Sequence, residues 1–119
     1  MSTVPSPQGQ ALLTAAYREF NARQIDAVLA RMDPNVDWPN GMEGGRVHGH
    51  QEVRAYWTRQ WRTMNPHVEP LELVGHQEGR IAVRVHQVVK DLEANLLLDT
   101  IVRHTCRIRD GLILRMDID

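Results

Sequence analysis

Just past its midpoint the chain changes the period at which apolar residues recur, and that change limits the fold more than any single motif. Up to Met64 the spacing is helical. Leu12, Leu13, Ala16, Tyr17 and Phe20 predict a helix that ends near Arg23. Ile25, Val28, Leu29 and Met32 predict a second, stopped by Asp33-Pro34 because the residue before a proline disfavours the helical region. Val53, Tyr56, Trp57, Trp61 and Met64 share one face of a third, which begins near His50 and stops at Asn65-Pro66. Residues 35–38 read as a short strand, and 40–45, with three glycines, as a loop. A loose leader is expected through Gln8, since Pro5 and Pro7 lack amide donors and nothing nearby is apolar.

Beyond Pro66 the apolar residues alternate. Residues 68–76, 80–91, 96–109 and 112–118 are rich in Val, Ile and Leu and read as strands. Glu78-Gly79 and Asp110-Gly111 are hairpin signals, and residues 92–95 form a longer turn. Connections this short make neighbours antiparallel. The layout is α+β, a cone of three N-terminal helices packed on a curved antiparallel sheet, in a single domain. Alternation then sorts side chains by face. Ile81, Val83, Val85, Gln87 and Val89 point inward, opposite Arg84, His86 and Lys90. Leu98, Val102, His104, Cys106 and Ile108 point inward on the next strand, and Leu112, Leu114, Met116 and Ile118 on the last. Two polar residues, Gln87 and His104, are thereby predicted inside. A bulge would flip part of each assignment.

Composition excludes several classes of function. Fourteen basic residues against fifteen acidic ones leave a formal charge of −1, with no basic footprint for nucleic acid or an anionic membrane. No apolar run approaches the roughly 20 residues of a membrane span. The first ten residues lack the charged and apolar regions of a signal peptide. The lone Cys106 has no partner for an internal disulfide and reads as a small buried hydrophobe, which fits a reducing cytoplasm. His48-Gly49-His50 has two imidazoles but no completing cysteine or carboxylate pair, so no metal is expected. The segment Gly41-Met42-Glu43-Gly44-Gly45 lacks the spacing and lysine of a phosphate loop, and no cofactor is expected.

Four segments in this order carry a resemblance: Tyr17 to Asp26, Asp33 to Trp38, Val47 to Trp57 and Arg109 to Ile113. Together they resemble the NTF2-like (cystatin-like) superfamily, in its SnoaL-like and ketosteroid isomerase-like branch, from about Gln10 onward. The resemblance implies a cone whose open end holds a ligand pocket, and a homodimer formed through the outer sheet face. Fold does not give activity, so the residues must be compared one by one.

Ketosteroid isomerases use a carboxylate base and an oxyanion site made of a tyrosine and a protonated aspartate. Here the base position is Trp38, the oxyanion tyrosine is Ala16 and its supporting tyrosine is Trp57. The acid falls on His104 or Arg103, depending on one residue of register, and alternation favours His104. That activity is excluded. The Arg-Asp-Asp set of the epoxide-hydrolase branch has a counterpart in Arg115-x-Asp117, predicted to point away from the pocket. SnoaL-type cyclases resemble one another in an acid/base Asp or His within the cone, a role open to His104. Glu43 is a second candidate, placed to swing over the mouth. Trp38, Trp57, Gln87, Met116 and Tyr17 are expected to shape a site for a small, mostly apolar organic molecule. Trp38 either stacks on that ligand or plugs the cone. The activity is correspondingly either isomerisation, cyclisation or hydration, or no catalysis at all in a binding or dimerisation module.

Overall fold

The computed structural model describes residues 4–41 and 43–119. The first three residues of the expected leader, and Met42 of the glycine-rich segment, lie outside the described residues. Helix α1 (Pro7–Asn21) starts where the Ser6 hydroxyl accepts a hydrogen bond from the Gly9 amide at 3.0 Å. Pro7 occupies its first turn, where an amide donor has no helical partner to lose. The chain expected to be loose through Gln8 is thus helical from Pro7, and Pro5 is buried with its carbonyl accepting from Gln10 Nε2. Helix α2 (Ile25–Ala30) is a single short segment that buries Val28 and Leu29. Met32, expected on that helix, instead opens strand β1 (Met32–Pro39), which is longer than the predicted strand.

A three-residue strand, β2 (Arg46–His48), leads into α3 (Gly49–Thr63). Four long strands follow: β3 (Met64–Gly75), β4 (Arg80–Asp91), β5 (Leu96–Arg109) and β6 (Leu112–Ile118). Asn65-Pro66 therefore ends the helix as predicted but belongs to the strand. The turn at Glu78-Gly79 has both residues at positive φ, 61° and 71°, the twist-matched type I′ geometry of a tight hairpin. Gly79 is obligatory there for a second reason: a Cβ would lie 2.5 Å from the Ile108 carbonyl oxygen.

The sheet order is β2-β1-β6-β5-β4-β3. From β3 to β6 it is the expected antiparallel meander, but β1 joins β6 in parallel, with Met32 opposite Ile113 and Asp37 opposite Arg115. The sheet is thus mostly, not wholly, antiparallel. Its concave face packs on the helices, and the core between them holds Leu13, Val28, Val36, Val53, Trp57, Val83 and Val85. The inward set on β4 is as alternation predicts. On β6 it is not: register shifts between β5 and β6 after Arg107, and this bulge turns Ile113 inward at 1% exposure, with Leu112 and Leu114 only half-buried. No helix among the described residues is long and apolar enough to cross a membrane.

Candidate functional site

Between α1, α3 and the concave sheet face lies a cavity of about 430 Å³. Its walls are mostly apolar, with Leu13, Ala16, Trp38, Trp57, Ile113 and Met116 among them. Tyr17, Tyr56, Gln60, Gln87, His104 and Cys106 supply the polar atoms, and no charged side chain among the described residues lines it. A ligand placed here would meet no fixed ionic partner, and burying a charge without one is costly. The cavity suits a neutral molecule.

The sequence-predicted register holds for His104. It is 5% exposed on the inner face of β5, with Val83 opposite it on β4. Its Nδ1 lies 2.7 Å from the Tyr17 hydroxyl on α1, with the two rings nearly parallel at 16°. Burial disfavours the imidazolium and lowers the pKa of His104 from 6.5 to about 4, so the ring is neutral near pH 7. Burial likewise raises the Tyr17 pKa, with Cys106 adding to the rise, and the phenol stays protonated. A phenol is the stronger donor of the two and an imidazole nitrogen the stronger acceptor. Tyr17 O–H is therefore assigned as donating to Nδ1, which places the ring proton on Nε2. No protein group among the described residues bonds that second nitrogen. His104 lines the cavity as a neutral donor with a depressed basicity.

The other candidates divide. Trp38 forms wall instead of plug: it meets Trp57 edge-on at 5.6 Å, and the cavity beside them stays open. Trp57, 2% exposed, is principally core with one surface on the cavity, while Met116 and Gln87 both line it. Glu43 does not. Its carboxylate is gripped by Arg59 at 2.9 and 3.2 Å and by the Asn40 amide at 3.0 Å. Those contacts, Arg59 foremost, hold its pKa below the usual carboxylate value, which is the wrong direction for a general acid. Cys106 is buried and its thiol is pushed up to about 12, chiefly by desolvation, so it is no nucleophile near neutrality.

His48 and His50 point to different partners. His50 Nε2 is 2.8 Å from the Met32 carbonyl oxygen, whereas His48 lies 3.5 Å from Asp37. Arg115 and Asp117 face away from the cavity, in a network with Asp37 and Arg46 that ties β1, β2 and β6 together. Sequence reasoning placed Tyr56 on the apolar face of the third helix without a role in the site, and passed over Gln60. They sit one turn apart on α3, and Gln60 Nε2 donates to the Tyr56 hydroxyl at 3.4 Å. The signal was present: a tyrosine and a glutamine at i and i+4 put two polar tips on one stripe.

Comparison with known proteins places the fold. A search of curated proteins finds no match. Among solved structures, an NTF2-like protein of unknown function from Burkholderia pseudomallei K96243 superposes with a TM-score of 0.82 at 25% identity, covering 94% of this chain and 89% of that one. TerC, co-crystallised with polyporic acid, gives a TM-score of 0.82 at 24% identity over 94% of this chain and 90% of its own. Rv0760c from Mycobacterium tuberculosis, in complex with estradiol-17β-hemisuccinate, gives 0.79 at 18% identity over 92% and 90%. The sequence pattern of the SnoaL-like domain matches residues 13–116, nearly the whole of the cone just described, and the chain belongs to that family.

Proposed function

We propose that this protein binds a small, neutral, mostly apolar organic molecule and holds one of its oxygens, a carbonyl or hydroxyl, against His104 Nε2. The observation that carries the reading is the Tyr17–His104 hydrogen bond at the wall of a cavity of about 430 Å³ lined by no charged side chain among the described residues. Tyr17 fixes the tautomer and orientation of the imidazole, Trp38, Trp57 and Met116 give apolar contact, and Gln87 adds a second polar atom. Two structures of the same fold hold organic molecules, polyporic acid in one and estradiol-17β-hemisuccinate in the other, which supports an organic ligand in the cone; both are acids, and the neutrality proposed here rests on the uncharged lining of this cavity.

The same donor favours a second reading. An N–H fixed in an apolar site stabilises negative charge developing on a carbonyl oxygen, the need shared by isomerisation, cyclisation and hydration of carbonyl compounds. His104 would act there as a polarising donor more than as a base, because its depressed pKa weakens it as a proton acceptor near pH 7.

Binding can be read from tryptophan fluorescence, since Trp38 and Trp57 border the cavity. Trans-4-hydroxystilbene is expected to quench it, and trans-stilbene-4-carboxylate, of similar shape but charged, to bind about tenfold more weakly or worse. His104→Phe should weaken the phenol about fivefold to tenfold, the net value of one hydrogen bond. No saturable binding of the phenol, or tighter binding of the carboxylate, would dispose of the reading. If His104→Gln then abolishes turnover of a carbonyl substrate while binding survives, the catalytic reading holds; binding without turnover in the parent leaves the binding module.

The assembly we propose with it is a homodimer through the outer sheet face. Ile101 is 51% exposed there, in a groove with Arg84, Arg103, Glu72 and Asp119 that offers both charges to a second copy. Light scattering is expected to report a dimer, and Ile101→Asp a monomer that still binds the probe. A monomeric parent at micromolar concentration would refute it.

A further inference from the structure

The register of the sheet fixes how far apart the polar groups of the cavity lie. His104 on β5 pairs with Val83 on β4, and Gln87 is four residues further along β4, opposite Thr100. Both side chains belong to the concave face and both line the cavity. At about 3.3 Å per residue, four residues separate their levels by about 13 Å. No polar group stands between them on the inner face of β4, where Val85 is fully buried in the core, and the cavity wall is otherwise mostly apolar, with Ala16, Phe20, Trp57 and Val68 in it.

Neither group is used up by the protein. His104 spends Nδ1 on Tyr17 and keeps Nε2. The Gln87 side chain has no hydrogen-bond partner among the described residues. It is half-buried, next to β3 where Val68 opposes it. Asn21 occupies both backbone groups of Val68, donating to its carbonyl at 2.8 Å and accepting from its amide at 2.9 Å. The amide proton of Val68 is therefore already taken and does not reach the Gln87 oxygen. An amide that faces a cavity without a partner is a favourable place for a ligand polar group, because leaving it unmet there forfeits a hydrogen bond.

We infer that Gln87 is a second anchor, and that the ligand is a rod-like apolar molecule with an oxygen function at each end, one met by His104 Nε2 and the other by the Gln87 amide. The inference rests on the proposed binding function and narrows it from a ligand with one polar end to a ligand with two, of set length. A glutamine amide both donates and accepts, so the far oxygen can be a hydroxyl or a carbonyl. Ala16, Phe20, Trp57 and Val68 are among the apolar side chains of the cavity wall, so the body of the rod has to be apolar.

The test compares trans-4-hydroxystilbene with trans-4,4′-dihydroxystilbene, which differ only by the second terminal oxygen. On the parent protein the diol is expected to bind about tenfold tighter than the single phenol. Gln87→Leu should abolish the difference between the two probes, the diol losing about tenfold relative to the single phenol measured on the same variant. Gln87→Asn, which draws the amide back by one methylene, should fall between the two. Thermal melting of each variant confirms that it is folded. Equal affinity of both probes for the parent, or an equal loss of both in Gln87→Leu, overturns the second anchor while leaving the binding reading intact. Failure of both probes to bind the folded parent overturns the binding reading itself, and the inference with it.

Discussion

Acidification from pH 7 to pH 4 is expected to remove about 3 kcal/mol of stability through His104 alone. In the unfolded chain this imidazole takes a proton near 6.5, whereas in the folded protein it does so only near 4. Between those values the unfolded state binds more protons, so stability rises with pH through the window and falls as the solution is made more acidic. Above 6.5 both states are neutral at this site and the contribution is flat. The Tyr17 hydroxyl bonded to the ring, and the Cys106 thiol two residues along the same strand face, stay uncharged throughout, because burial raises both their pKa values.

Carboxylates held by ion pairs, Asp117 beside Arg115 and Glu19 beside Arg31, have lowered pKa values, so their stabilisation is present above the ordinary carboxylate range and is lost at lower pH. A difference measurement separates them from the histidine. Urea midpoints for the parent and His104→Gln at pH 7, 5.5 and 4.5 should converge as the pH falls, since the variant lacks the histidine penalty. Parallel curves would mean that the buried imidazole does not resist protonation.

The largest purely structural effect is expected at Trp57. Its side chain is 2% exposed and touches three other aromatic rings: Phe20 edge-on at 5.2 Å, Trp38 edge-on at 5.6 Å and Trp61 stacked at 5.8 Å. Truncation removes buried apolar area and merges the vacated volume with a cavity that is already large, so the surroundings cannot collapse onto it. Trp57→Ala is therefore expected to cost about 3–5 kcal/mol, a large share of the stability of an ordinary domain. Trp38→Ala, at a half-buried position on the cavity wall, should cost about 1–2 kcal/mol and should weaken ligand binding more than stability. Urea unfolding followed by far-ultraviolet circular dichroism checks both without relying on the tryptophans removed. A Trp57→Ala variant within about 1 kcal/mol of the parent would show that the aromatic cluster is loosely packed.

What could be read from the sequence was whatever is encoded locally. The inner face of β4 follows strict alternation because its register on β5 runs unbroken from Arg80 to Val89. The inner face of β6 was misassigned because a bulge leaves no unambiguous local mark: Leu112, Ile113 and Leu114 are all apolar, and only pairing decides which turns inward. The parallel joining of β1 to β6 was invisible for a similar reason, since it brings residues 37 and 115 together with no turn between them. Tyr17 and His104 were each singled out as site residues, yet the bond between them spans 87 positions and has no pattern in the chain. Glu43 failed as an acid because its partner, Arg59, comes from another element.

The position of β6 bears on how the chain is made. It is the latest of the six strands in sequence, but it lies inside the sheet, between β1 and β5. During vectorial synthesis the helices with β1 and β2 emerge first, and the β3–β5 meander next, as two half-surfaces with no common edge. Asn21 can already tie α1 to β3, but the sheet itself becomes continuous only when β6 slots between β1 and β5. Until then β1 and β5 both present unpaired edges, so a chain interrupted before residues 112–118 carries two open edges in place of one closed seam.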